Sequence, residues 1–372
     1  MVFLMAENLS YVYLEDGTVL VGDGFGSDSV KAGELVFTTA MNGYPESLTD
    51  PSYAGETMII THPLVGNYGV PQPKLANGIL SNFESGKVHI SALIVSELTK
   101  SEKWSKSMDL DDWLRKEGVP GISGIDTRML TKKVRDNGAM MCVVSTKGEL
   151  KDPKKALGEK YAEINFVEHV SPKKPITHNG AGQTVVVVDC GVKHGILKSI
   201  SGLGYNIVRV PYDYTADKIM SFNPSGVLYS NGPGNPNMLS PVIESMKGII
   251  EYRVPILGIC LGHQIACLAM GGGVHKMKFG HRAVNKGVVD ISTKKACITS
   301  HNHGYAVFPD DIPKSAKPWF ISPDDNVIEG MVYKKQNMIT TQFHPEGKPG
   351  TNDASFVFGM FDRMVRENRG GK

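Results

Sequence analysis

Ile256-Leu-Gly258-Ile-Cys260-Leu-Gly262-His-Gln264 is the stretch that decides the fold. It reads as a short apolar strand, a Gly-x-Cys-x-Gly turn and the start of a helix. That is the pattern of a nucleophile elbow. The two glycines allow a sharp turn and close backbone approach, and the residue between them projects from the strand end at a helix N-terminus. A thiol placed there is expected to have its pKa lowered by the helix dipole and by any nearby imidazolium. Taken alone, the same stretch also suits a structural cysteine in a buried turn. Residues 254–274 contain no Asp, Glu, Lys or Arg, and their length could span a bilayer. Pro255, Gly258, Gly262, His263, Gln264 and the glycines at 271–273 argue instead for strand, turn and helix.

The same rhythm extends outward on both sides. Thr184-Val-Val-Val-Val-Asp189 is a continuous apolar run, as expected of a strand covered on both faces. Helix-like and strand-like stretches then alternate at 196–203, 206–210, 226–230, 241–252 and 255–259. Such alternation predicts βαβ units and an α/β fold whose C-terminal part is an open, mostly parallel sheet with flanking helices. Ligands of such sheets sit at the carboxyl ends of strands, where Asp189, Asn231 and Cys260 fall.

The first half reads differently. Asp16-Gly17 separates two short apolar runs, a hairpin signal. Further strand-like runs at 34–39, 57–61 and 89–96, with helices at 110–117 and 127–136, predict a β-rich domain. Lysines crowd at 147–160, and Pro172, Pro175 and Gly180 follow. The expected organisation is an N-terminal domain at 1–146 making partner contact, a linker region at 147–182 with a solvated lysine face, and a second domain at 183–372.

Composition narrows the function. Forty Lys+Arg against 38 Asp+Glu gives +2, too little excess for a protein that lives on nucleic acid. The 41 glycines and 21 prolines imply many tight turns rather than a helical bundle. Five cysteines without a C-x-x-C pair fit neither a disulfide framework nor a zinc finger. Met1-Val-Phe-Leu-Met-Ala-Glu7 has no basic n-region and too short an apolar run for a signal peptide, so a cytoplasmic location with no membrane contact is expected. Gly191-Val-Lys-His-Gly195 and Gly22-Asp-Gly24-Phe-Gly26 miss the spacing of phosphate-binding loops, and no ATP loop is found. His301 and His303 have no cysteine or carboxylate at ligand spacing, so no metal site is expected.

Ile339-Thr-Thr-Gln-Phe-His344-Pro-Glu346 lies 84 residues beyond the cysteine. In extended chain, His344 and Glu346 would lie on one side. The imidazole could then face the thiol while Glu346 accepts its other N–H, the logic of a triad. Asn231-Gly-Pro-Gly-Asn235-Pro reads as a strand-end loop able to offer backbone N–H groups to an oxyanion. Ser300-His-Asn302-His-Gly-Tyr305 reads as a polar loop able to bind a substrate's charged groups.

The three motifs G-I-C-L-G-H-Q, N-G-P-G-N-P and Q-F-H-P-E resemble those of class I, triad-type glutamine amidotransferases, whose domain is flavodoxin-like. Ahead of them, Leu14-Glu-Asp-Gly17, Phe37-Thr-Thr-Ala-Met-Asn-Gly-Tyr44, Leu48-Thr-Asp-Pro-Ser-Tyr53, Gly66-Asn-Tyr-Gly69 and Ser123-Gly-Ile-Asp-Thr-Arg128 are similar to the N-terminal domain of carbamoyl-phosphate synthetase small subunits. The resemblance spans nearly the whole chain. It implies Cys260 as nucleophile, His344 as base and Glu346 as its orienter. It also implies oxyanion donors at Leu261 and Gly232, and a glutamine pocket lined by Ser52, Gly234, Gln264, Asn302, Gly304 and Tyr305. The family often has Asn where His194 stands and Thr where Asn42 stands; neither touches the triad. The implied partner is a large ATP-dependent synthetase subunit that takes up the ammonia, with heterodimers able to assemble further. ATP, bicarbonate and Mg would be used there, leaving no cofactor in this chain. The implied product is carbamoyl phosphate for arginine and pyrimidine synthesis. Rival readings are another amidotransferase, a non-catalytic subunit on the same fold, and a cysteine peptidase or esterase.

Overall fold

A computed structural model describes residues 9–103 and 105–368; the Met1–Glu7 stretch lies outside the described residues. The first half closes into a barrel. Its strands are β1 (Leu9–Leu14), β2 (Val19–Gly26), β3 (Val30–Thr38), β4 (Glu56–Ile60), β7 (Ala92–Ile94), β8 (Pro120–Ser123) and β9 (Met140–Ser145), with a small ladder of β5 (Leu75–Ala76) and β6 (Ile79–Leu80) beside it. The closed order is β1-β2-β8-β7-β4-β3-β9. The Asp16-Gly17 hairpin forms, with Tyr13 opposite Val19 and Gly17 at φ 89. The amphipathic helices Leu110–Glu117 and Thr127–Asn137 bury Leu110, Trp113 and Leu114, and Leu130 and Val134, against the barrel.

The second half is one sheet in the order β10-β12-β11-β13-β14-β19-β18-β17-β15-β16. Its strands are β10 (Ile176–His178), β11 (Thr184–Asp189), β12 (Asn206–Pro211), β13 (Gly226–Tyr229), β14 (Ile256–Ile259), β15 (His275–Asp290), β16 (Ala296–Ala306), β17 (Lys317–Ile321), β18 (Ile328–Tyr333) and β19 (Met338–Thr341). Strands β12, β11, β13, β14 and β19 run parallel, as the alternating pattern predicts. Beyond β19 the sheet continues antiparallel through β18, β17, β15 and β16, and β10 adds an antiparallel edge, so the whole is mixed.

Strand alternation explains why the valine run has no polar face. Val186 and Val188 pack on one side, with Val242, Met246 and Ile249 of the helix Ser240–Glu251 and Ile265 of the helix Leu261–Ala269. Val185 and Val187 pack on the other, with Ile196 and Ile200 of the helix His194–Gly202 and Phe361 of the helix Phe356–Glu367. Two apolar layers therefore fix the parallel strands and hold their carboxyl ends in register. No described helix is long and apolar enough to cross a membrane.

Residues 147–182 carry their lysines outward: Lys147, Lys151, Lys154, Lys155 and Lys160 are exposed. The segment is nevertheless packed, because Tyr161 and Val167 are buried and β10 pairs with β12. The two halves are joined by a buried ion pair. Arg282 on β15 donates from Nε and Nη2 to the Glu56 carboxylate on β4, at 3.1 and 2.6 Å. Both side chains are almost fully enclosed. Removing one partner of such a pair leaves an uncompensated charge and costs about 3–5 kcal/mol. Arg282→Ala is therefore expected to lower the melting temperature by several degrees in calorimetry. An unchanged melting temperature would show that the pair does not hold the halves together.

Candidate active site

Strand β14 is fully buried and ends at Ile259, and Cys260 directly after it adopts φ 53 and ψ −100. Left-handed backbone at a non-glycine residue stores about 1–3 kcal/mol and persists only where its surroundings impose it. The surroundings are visible here. A Cβ on Gly262 would stand 2.2 Å from the Tyr229 carbonyl oxygen, and one on Gly258 would stand 2.7 Å from that of Gly262. The Cys260 N–H donates to the Thr341 carbonyl at 2.8 Å. The glycines thus let helix Leu261–Ala269 begin immediately against β13, with Cys260 at the corner.

The thiol is buried. Its Sγ donates to the Asn302 carbonyl at 3.6 Å and accepts from Gln342 Nε2 at 3.7 Å. Burial pushes its pKa up, and the charges of Asp50 and Glu346 add to this, while the Leu261 N–H and Lys193 pull it down without prevailing. This corrects the expectation of a lowered thiol pKa: in this conformation desolvation outweighs the helix terminus.

His344 follows β19, and its N–H donates to the Ser300 carbonyl at 2.8 Å. The chain then turns back, with Gly347 N–H donating to the His344 carbonyl at 3.2 Å. His-Pro-Glu is a tight turn and not the extended segment that spacing predicts; Pro345 suits the second position of a turn as well as it suits a strand. The turn still brings His344 Nδ1 to Glu346 Oε1, at 2.8 Å. The same carboxylate oxygen lies 2.9 Å from Lys193 Nζ, and both side chains are buried. Burial would raise the Glu346 pKa, but Lys193 and His344 hold it down to about 2. An ionised carboxylate only accepts, so Nδ1 carries the proton and Nε2 presents its lone pair. That Nε2 is buried and has no hydrogen-bond partner. The Sγ–imidazole hydrogen bond of a working triad is therefore not formed here, because Sγ is turned to the Asn302 carbonyl.

A narrow cleft opens beside Cys260. Ser52, Gly232, Gly234, Gln264, Asn302, Gly304 and Tyr305 all line it, so every expected pocket residue other than Leu261 borders this one space. Leu261 lies against it: a Cβ on Gly232 would be 2.8 Å from its Cδ2. Ser52 comes from the barrel half. Its N–H donates to Asp50 Oδ1 at 2.9 Å and its Oγ accepts from Asn231 Nδ2 at 2.8 Å. Asn302 Nδ2 donates to the other oxygen of Asp50 at 3.0 Å. Gln264 Nε2 is spent on the Tyr305 carbonyl at 2.8 Å and on Gln342 Oε1 at 3.1 Å.

Residues 300–305 form part of β16 and not a loop, since β15 and the Ser300–His344 bridge satisfy their backbone. Glu34, Glu56, Tyr161 and His303 also border the cleft, and Lys193 and Asp50 support it. Sequence reading took in His303 only as part of the polar stretch at 300–305 and missed the other five. Lys193 follows β11 in a segment read only for its glycines, and Asp50 stands two residues before Ser52. Tyr161, whose OH accepts from Gly234 N–H at 3.1 Å, belongs to the segment read as linker.

Residues 186–364 match the family described as Glutamine amidotransferase class-I, and residues 12–144 match Carbamoyl-phosphate synthase small chain, CPSase domain. The chain is 57% identical over 360 residues to the carbamoyl phosphate synthase small chain of Sulfurisphaera tokodaii, across 96% of this chain and 97% of that one. It is 43% identical over 361 residues to the carbamoyl phosphate synthase small chain of Pyrococcus furiosus, across 95% and 97% of the two chains. It is 40% identical over 354 residues to that of Streptococcus mutans, across 95% of each.

Proposed function

This chain belongs to the carbamoyl phosphate synthase small-chain family, and from that premise we propose that it hydrolyses L-glutamine through Cys260, His344 and Glu346. The ammonia passes directly to a large ATP-dependent synthetase subunit, which makes carbamoyl phosphate for arginine and pyrimidine synthesis. The observation that carries this reading is the strained Cys260 corner opening on a cleft that also holds the other expected pocket residues.

Reaction begins when Sγ leaves the Asn302 carbonyl and its proton moves to His344 Nε2. The thiolate attacks the side-chain amide carbon, and the developing O⁻ is met by the N–H groups of Leu261 and Gly232, each such donor being worth about 3 kcal/mol. His344 returns the proton to the amide nitrogen, the C–N bond breaks, and ammonia leaves a γ-glutamyl thioester. Water then attacks, gives its proton to Nε2, and the C–S bond breaks to release glutamate. Glu346 holds the ring in the required tautomer, and Lys193 keeps Glu346 ionised. No cofactor is needed in this chain; ATP, bicarbonate and Mg act on the large subunit.

A buried, protonated thiol turned from its base is an idle state. The isolated chain is therefore expected to turn over glutamine slowly, with a rise of tenfold or more, about 1.4 kcal/mol of barrier, when the large subunit binds. Copurification of the two chains followed by a glutamine-to-carbamoyl-phosphate assay tests this directly. Equal glutaminase turnover with and without the partner would count against the coupling.

A further inference from the structure

Strand β16 alternates, so Asn302 points toward Asp50 while His301 and His303 point the other way. There they meet His281 of β15 and Glu329 of β18. The four side chains are buried, and their ligand-type atoms all lie within 4.8 Å of one another. His281 Nδ1 is 3.3 Å from Glu329 Oε1, His301 Nδ1 is 3.5 Å from Glu329 Oε2, and His301 Nδ1 is 3.4 Å from His303 Nε2. Ligands held tetrahedrally about 2.0–2.1 Å from a zinc ion stand about 3.3 Å apart.

The outward-facing atoms fix the protons. His303 Nδ1 lies 2.9 Å from the Tyr305 carbonyl, which only accepts, so its Nε2 is a bare lone pair. His281 Nε2 lies 2.7 Å from the Asp325 carboxylate, so its Nδ1 turns inward. Thr299 Oγ1 donates to the Lys286 carbonyl at 3.0 Å and is left to accept from His301 Nε2 at 2.8 Å, which strips His301 Nδ1 of a proton as well. Neither Glu329 oxygen has a hydrogen-bond partner, and neither does His281 Nδ1. Lone pairs therefore face one another across this space, and only His281 competes for an inward proton: burial opposes its charge, but Asp325 and Glu329 raise its pKa. A buried carboxylate in that position is costly unless a cation joins it. Each imidazole is also oriented by an outer hydrogen bond, as metal-ligating histidines are.

We propose that His281, His301, His303 and Glu329 bind a divalent metal ion of the zinc class, which cross-links β15, β16 and β18 behind the cleft. Four protein ligands make a closed, structural site. One divalent ion with Glu329 and Asp325 is charge-neutral. The site also touches the cleft, because the Tyr305 carbonyl that orients His303 accepts from Gln264 too.

The full chain is refolded with and without Zn(II) or Co(II), and its bound metal and melting temperature are measured. About one ion per chain is expected, with a tetrahedral Co(II) absorption band and a higher melting temperature in the metal-loaded form. His301→Gln and Glu329→Gln are expected to lose the ion and the band. A wild-type chain that binds neither metal and melts at the same temperature in both conditions would make the cluster a proton-sharing network and overturn the proposal. Metal retained unchanged by both variants would overturn it as well. The refolding comparison needs only the unaltered chain, so it decides even if the variants do not fold.

Discussion

Cys260→Ala is expected to abolish glutamine hydrolysis while the assembled complex keeps making carbamoyl phosphate from free ammonia. The proposed covalent route requires a sulfur at this corner. Losing the nucleophile of such a unit costs about 10⁴-fold or more in turnover. The fold should survive, since the thiol's hydrogen bonds to Asn302 and Gln342 are long and weak, at 3.6 and 3.7 Å. The comparison is made on the complex, with glutamine or ammonium as nitrogen source and circular dichroism as the control for folding. Glutaminase turnover within tenfold of the parent chain would end the assignment. Loss of both activities would point to damage outside this step.

Lys193→Met is the second large effect. Lys193 and Glu346 are enclosed together, and deleting the cation leaves a carboxylate in a site built for a pair. Such a deletion costs about 3–5 kcal/mol. The sign of the pH dependence follows from Glu346. Its folded pKa, about 2, lies below the ordinary value of about 4.3. The stability it contributes is complete above the ordinary value and is lost as pH falls toward the folded value. Without Lys193 the folded pKa rises, that margin shrinks, and the chain should unfold at higher pH in an acid titration followed by circular dichroism. A protonated Glu346 also holds the His344 Nδ1–H less firmly, so kcat for glutamine should fall across the same range. An acid midpoint unmoved by the substitution would show that Lys193 does not keep Glu346 ionised.

Local spacing made part of this molecule readable. The valine run at 184–189, the Gly-x-Cys-x-Gly corner and the hairpin at Asp16-Gly17 each follow from a few neighbouring residues, and each forms where spacing places it. The antiparallel wing from β15 to β18 was not legible, because its pairing depends on contacts between strands far apart in sequence. The same holds for the four-residue cluster behind β16, whose members sit at 281, 301, 303 and 329; no ligand spacing connects them. Lys193 was hidden in another way. A lysine after a strand looks like a surface residue, and only the fold reveals that Glu346 waits for it. The thiol was misjudged because a helix terminus can be read from sequence, whereas the depth of burial that opposes it cannot.

The docking of Ser52 and Asp50 against Asn231 and Asn302 has a mechanical consequence. One wall of the cleft is carried by a different body from the other. Any tilt of the barrel drags its serine with it and so changes the gap into which a substrate must fit. A macromolecule gripping the barrel's outer surface can set the tightness of that gap at a distance, as a hand on the far end of a pair of pliers sets the jaws.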